Sequence, residues 1–116
     1  MKFNNINIEL KPYCEDNCSY CVYVNGEHKW NLLMTCGCYP EQYDLLSVYD
    51  MSTRAYFRLR WGTFTVECPD CWGDKVYCYD MDGDGVEGCF SSQEEREREI
   101  INALEKVVEY YENGNG

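Results

Sequence analysis

Three observations predict an α+β fold: an antiparallel β-sheet of hairpins with one C-terminal amphipathic helix packed on it. Apolar and polar residues alternate with a period of two in several runs before residue 80, turn residues separate those runs, and the apolar spacing changes to three and four after residue 92. Eleven tyrosines among 116 residues also suit a sheet better than a helix bundle. A chain of this length makes one domain, residues 1–116, whose modest core a structural metal would help.

The elements follow in order. NINIELKPY alternates and reads as a strand ending at the first cysteines. In CVYVNGEHKWNLLMTC, Asn25-Gly26 separates two β-rich runs, and both residues tolerate positive φ, so a hairpin is expected. YDLLSVYDMS and RAYFRLRWGTFTVEC read as further strands, with Phe57, Leu59 and Trp61 on one face and Tyr56, Arg58 and Arg60 on the other. KVYCYDMDGDGVEGCF reads as a second hairpin, turning at residues 82–85. Ser92 followed by Glu95 forms a capping box, and Asn113-Gly114 supplies a stop. Between them Ile100, Ile101, Leu104, Val107, Val108 and Tyr111 form an apolar stripe, leaving Glu97, Glu105, Glu109 and Glu112 for solvent.

Nine cysteines are the outlying feature of the composition. The opening MKFNNINIELKPYC has no apolar run long enough for a signal-peptide core, and nothing later reaches membrane-spanning length, so a cytoplasmic location is expected. In a reducing compartment an odd number of thiols points to metal rather than to a closed set of disulfides. Zinc takes four tetrahedral ligands, often in pairs two to four residues apart. Cys68-Pro-Asp-Cys71, with Gly73 behind it, has that form. In the expected second hairpin Cys78 would face Cys89, so Cys68, Cys71, Cys78 and Cys89 are expected to hold one zinc. A disulfide between the facing pair is the alternative. Cys18, Cys21, Cys36 and Cys38 are the leading candidates for a second zinc, with Cys14 left over; the alternative is a single site joining Cys18 and Cys21 to Cys68 and Cys71. His28 reads as an exposed loop residue.

Catalytic chemistry finds little support. DMDGDG imitates the start of a calcium loop, but Ser91 stands where the bidentate glutamate belongs. His28 lacks the glutamate of a zinc deaminase, and a cysteine nucleophile would need a histidine base in an electropositive pocket. Cysteine-only zinc is closed and structural, so no enzyme is expected.

Charge supplies the functional clue. Residues 1–66 hold seven acids and six bases, net −1, whereas residues 67–116 hold fourteen acids and four bases, net −10. Asp80, Asp82, Asp84 and Glu87 at the hairpin tip, with Glu97, Glu105, Glu109 and Glu112 on the helix, can present negative charge to a basic protein groove. Direct binding of DNA or RNA is disfavoured by the same charge. Cys68-Pro-Asp-Cys71 with Gly73 resembles the knuckle of zinc-ribbon and rubredoxin-like proteins. In size, charge and compactness the whole chain resembles the small acidic inhibitors encoded by phages and mobile elements, anti-CRISPR proteins in particular. That resemblance implies a monomer in the bacterial host cytoplasm that inhibits a basic CRISPR effector nuclease by occupying a surface needed for guide RNA or target DNA. The alternatives are a zinc-ribbon-like adaptor with no nucleic-acid connection and a redox protein using Cys68 and Cys71.

Overall fold

The structure, a computed structural model, describes residues 6–13, 19–36, 41–60, 62–70, 72–80 and 92–112, with Cys36 described by its backbone alone. Among these, seven strands precede one helix: β1 (Ile8–Pro12), β2 (Tyr20–Val24), β3 (Glu27–Cys36), β4 (Glu41–Ser47), β5 (Thr53–Arg60), β6 (Thr63–Cys68), β7 (Asp74–Asp80) and α1 (Gln93–Glu112). The strands form a single antiparallel sheet in sequence order, so each pairs with the next through a short connection. The expected α+β class is therefore the observed one.

Local chemistry explains the connections. Asn25 and Gly26 join β2 to β3 at φ of 52° and 88°, the left-handed pair that matches a two-residue turn to strand twist. RAYFRLRWGTFTVEC is two strands, because Gly62, at φ 77°, allows the chain to reverse between Arg60 and Thr63. Alternation then sorts the side chains. Val22, Leu32, Leu45, Ala55, Phe57, Leu59, Phe64 and Val66 are fully buried on one face. Across that face Tyr43, Phe57, Phe64 and Tyr77 form a ladder of rings with successive centroids 6.5, 6.0 and 6.2 Å apart, in tilted and edge-on geometries favoured by the ring quadrupoles.

Register slips by one residue at four places, leaving Lys29, Thr35, Arg54 and Val76 as the extra residues of β-bulges. A bulge bends its strand and increases its twist. The sheet consequently curves, and α1 packs on β6 and on both edge strands, β1 and β7. Ser92 Oγ accepts the Glu95 N–H at 3.0 Å, so Ser92 caps the start of the helix as the sequence predicts. Ile100, Leu104, Val107 and Val108 are buried against the sheet together with Ala103. Each of the larger four contributes about 1.5–3 kcal/mol by leaving water. No helix among the described residues is long and apolar enough to cross a membrane.

Cys14, Cys18, Cys38, Trp61, Cys71, Asp82, Asp84, Glu87 and Cys89, the return arm of the hairpin after β7, and Asn113-Gly114 lie outside the described residues.

Candidate functional site

The strand register sorts the expected zinc ligands. Cys68 shares the helix-facing side of β6 with Phe64 and Val66 and is fully buried. Cys78 pairs with Thr65, the opposite parity, and is exposed. Cys68 itself lies opposite Asp74, four residues from Cys78 along β7, about 13 Å at the strand rise. Two sulfurs on one zinc are at most about 4.6 Å apart. The expected set of Cys68, Cys71, Cys78 and Cys89 is thus not brought together: Cys68 and Cys78 stand on opposite faces of the sheet. The second set fares similarly. Cys21 pairs with Asn31, five residues before Cys36 on β3, or about 16 Å. Cys21 and Cys68 also stand on opposite faces, four strands apart, which removes the joint site. Among the described residues no three histidine, cysteine or carboxylate side chains gather as metal ligands. Burial, helped by nearby Asp74, pushes the Cys68 thiol up to about 12, so this sulfur is held as a protonated core side chain.

The Cys68–Gly73 turn instead displays a tryptophan. A Cβ on Gly73 would lie 2.2 Å from the Cys68 carbonyl oxygen, so only glycine lets the loop fold back this tightly. The Gly73 N–H reaches the Asp70 carbonyl at 3.0 Å, and the Trp72 N–H donates to Glu67 at 3.1 Å. Trp72, at φ 69°, is held 91% exposed. Beside it, on the sheet face away from α1, Tyr56, Arg58 and Glu67 complete a cavity of about 120 Å³.

The helix carboxylates divide into two groups. Glu97, expected at the solvent face, is half-buried because it accepts hydrogen bonds from Tyr20 Oη at 3.2 Å and Gln93 Nε2 at 2.7 Å. Glu109 lies 3.8 Å from Lys106. Glu105 is half-buried, Glu112 and Glu94 are exposed, and none of the three is ion-paired among the described residues. At the end of β7, exposed Asp80 accepts from Thr63 Oγ1 at 2.9 Å. His28, expected in a loop, lies in β3, stacked on Tyr23 at 5.0 Å and bonded to Asn31 at 2.8 Å.

A buried polar network joins the helix to the sheet, and its buried carboxylates, Glu41 and Glu99, were not among the expected site residues. Glu41 is fully buried; it receives Arg96 Nε at 2.7 Å, Arg96 Nη2 at 3.1 Å and Tyr43 Oη at 2.6 Å. The hydrogen bond from Arg96 to Glu41 raises the guanidinium pKa, and burial, then Glu41, raises the Tyr43 phenol. Burial, then Glu97, pushes Tyr20 up to about 12. Glu99 is buried too, accepting from Tyr77 Oη at 2.5 Å and Arg98 Nε at 2.9 Å. The sequence holds one signal for Glu41: it shares the inward parity of Tyr43, Leu45 and Ser47. These acids fasten α1 to the sheet and contribute nothing to an external acidic surface.

Comparison of the chain with known protein families, with curated proteins and with solved structures finds no match.

Proposed function

We propose that the chain is a binding protein that inhibits an RNA-guided nuclease of the CRISPR type, laying the acidic solvent face of α1 against a basic surface used by guide RNA or target DNA. One observation carries the reading. Every cation of α1 ends on a carboxylate of this chain: Arg96 on Glu41, Arg98 on Glu99, and Lys106 on Glu109. Glu94, Glu105 and Glu112 meet no cation among the described residues, so their field is left for a partner. Opposed charge of this kind speeds encounter and sets register. Asp80, with Asp82, Asp84 and Glu87 beyond it, extends the acidic surface in this reading. The nuclease as partner follows from the resemblance in size, charge and compactness; the cytoplasmic setting and the lack of enzymatic activity are part of the same proposal. A scaffold zinc remains part of the proposal with Cys68 removed from its ligands, and elemental analysis of the purified protein checks it.

The test is cleavage of target DNA by a panel of such nucleases, with and without this protein, at low and high salt. Inhibition that weakens with salt is the expected result. No inhibition and no binding across the panel would refute it. Trp72 favours a second reading, an adaptor held by an aromatic anchor, because exposed Trp beside Tyr and Arg is the composition of interface hot spots. Binding by such an adaptor would change little with salt.

A further inference from the structure

Two of the four bulges do more than bend the sheet. Strict alternation would send Lys29 and Arg54 to the side away from α1, because their neighbours Trp30 and Ala55 point toward the core. As the extra residues of their bulges, both turn instead toward the C-terminal end of the helix. There Arg54 lies over the Tyr111 ring, 5.5 Å from its centroid. Lys29, Trp30, Ser47, Tyr49, Arg54 and Tyr111 line a cavity of about 280 Å³. Lys29, Trp30 and Tyr111 also line an adjoining one of about 190 Å³, completed by Val24, Val108 and Glu112. Joined, the two reach the ~300–1,000 Å³ range of small-molecule sites.

Among the described residues the donors of this groove lack acceptors. Trp30 is only 3% exposed, yet among the described residues its indole N–H meets no acceptor. Buried donors are nearly always satisfied. Neither the Lys29 ammonium nor the Arg54 guanidinium forms an ion pair or donates a side-chain hydrogen bond among the described residues. Tyr49 and Tyr111 already direct their hydroxyls elsewhere, to Glu27 and to the Arg54 carbonyl, and leave their rings to the groove. Asp50 is near enough for Arg54 to lower its pKa, behind the hydrogen bonds of Ser52, and Glu112 stands at one rim.

We infer that this groove is a binding site for a small aromatic anion, a ring carrying a phosphate or carboxylate, with Lys29, Arg54 and the Trp30 indole N–H as donors and Trp30, Tyr49 and Tyr111 as ring contacts. Two cations and an N–H that meets no acceptor among the described residues, on apolar, aromatic walls, fit oxygen acceptors on a flat apolar body. The site borders the acidic face of α1 at Glu112 and does not depend on the function proposed for that face.

The probe is phenyl phosphate, titrated into the full-length protein and followed by 1H–15N NMR at the Trp30 indole resonance. Saturable shifts are expected there and at the Lys29, Arg54 and Tyr111 amides, with benzyl alcohol and inorganic phosphate each binding at least tenfold more weakly. Lys29→Gln and Arg54→Gln should each weaken phenyl phosphate by about tenfold or more, the scale of a lost charge-assisted hydrogen bond. A benzoate titration tells whether phosphate or carboxylate is preferred, and saturation by either supports the site. The competing role for these cations is to offset the negative end of a helix that has no basic residue in its last turn. In that case both variants lower the melting temperature and no probe saturates, which overturns the inference. Saturation unchanged in both variants overturns it as well.

Discussion

Replacing Arg96 by methionine tests whether the buried network fastens helix to sheet. The substitution keeps most of the side-chain volume and removes both hydrogen bonds to Glu41, of 2.7 and 3.1 Å. Glu41 is fully buried, so among the described residues its carboxylate is left with only the Tyr43 hydroxyl. An uncompensated buried charge costs about 3–5 kcal/mol. At about 4 °C per kcal/mol for a domain of this length, the melting temperature should fall by about 12–20 °C. Arg96 is the less buried partner, its side chain 19% exposed, so Glu41→Gln lets the guanidinium turn toward water and should cost less, about 1–3 kcal/mol. The double variant Glu41→Leu with Arg96→Met should recover most of the loss, since a whole buried pair is often replaceable by apolar groups. Calorimetry of these proteins together with the Glu41→Leu single variant closes the cycle. A cost below about 1 kcal/mol for Arg96→Met would place this pair with screened surface pairs and refute the argument.

Three further outcomes follow from the same geometry. Cys68→Ser should cost about 1–3 kcal/mol by burying a hydroxyl in the core, and Cys78→Ser less than about 0.5 kcal/mol; equal losses, accompanied by loss of zinc, would restore a shared metal site. Alkali should unfold the protein. The folded pKa values of Cys68 and Tyr20, both about 12, lie above their ordinary values of 9.0 and 10.0, so the folded state keeps protons that the unfolded state releases. Their contribution is whole below pH 9 and falls from pH 9 to 12 by about 1.4 kcal/mol per pH unit for each group titrating; thermal melts across that range check it. Finally, Trp72→Ala should leave stability within about 0.5 kcal/mol, because the ring is exposed, whereas under the adaptor reading it weakens partner binding at least tenfold.

Most of the fold was legible because its determinants are local. Asn25-Gly26, the Ser92–Glu95 cap and the alternation of Phe57 and Leu59 each act within a few residues. The burial of Cys68 was legible as well, since it shares parity with Phe64 and Val66. The position of Cys78 was not. A bulge at Val76 shifts the β6–β7 register by one residue, and one residue exchanges the two faces of a sheet. Glu41 and Arg96 are 55 residues apart and meet only because the sheet curves under the helix. Lys29 and Arg54 carry no local mark of their bulges, so the groove they line emerges only from the strand pairing.

The central claim is that the unpaired carboxylates of α1 serve a basic partner. Its most direct measurement is the association rate constant of the wild-type protein and of the Glu94→Lys, Glu105→Lys, Glu112→Lys triple variant with a panel of RNA-guided nucleases, at low and high salt. These residues hold no internal ion pair among the described residues, and the loss of an acid in the first turn is offset by the gain of a base in the last, so the variant should keep its melting temperature. Association at least tenfold slower for the variant at low salt is expected, with a gap that narrows as salt rises and a matching loss of inhibition. Binding to no member of the panel, or association equally fast for both proteins at low salt, would contradict it.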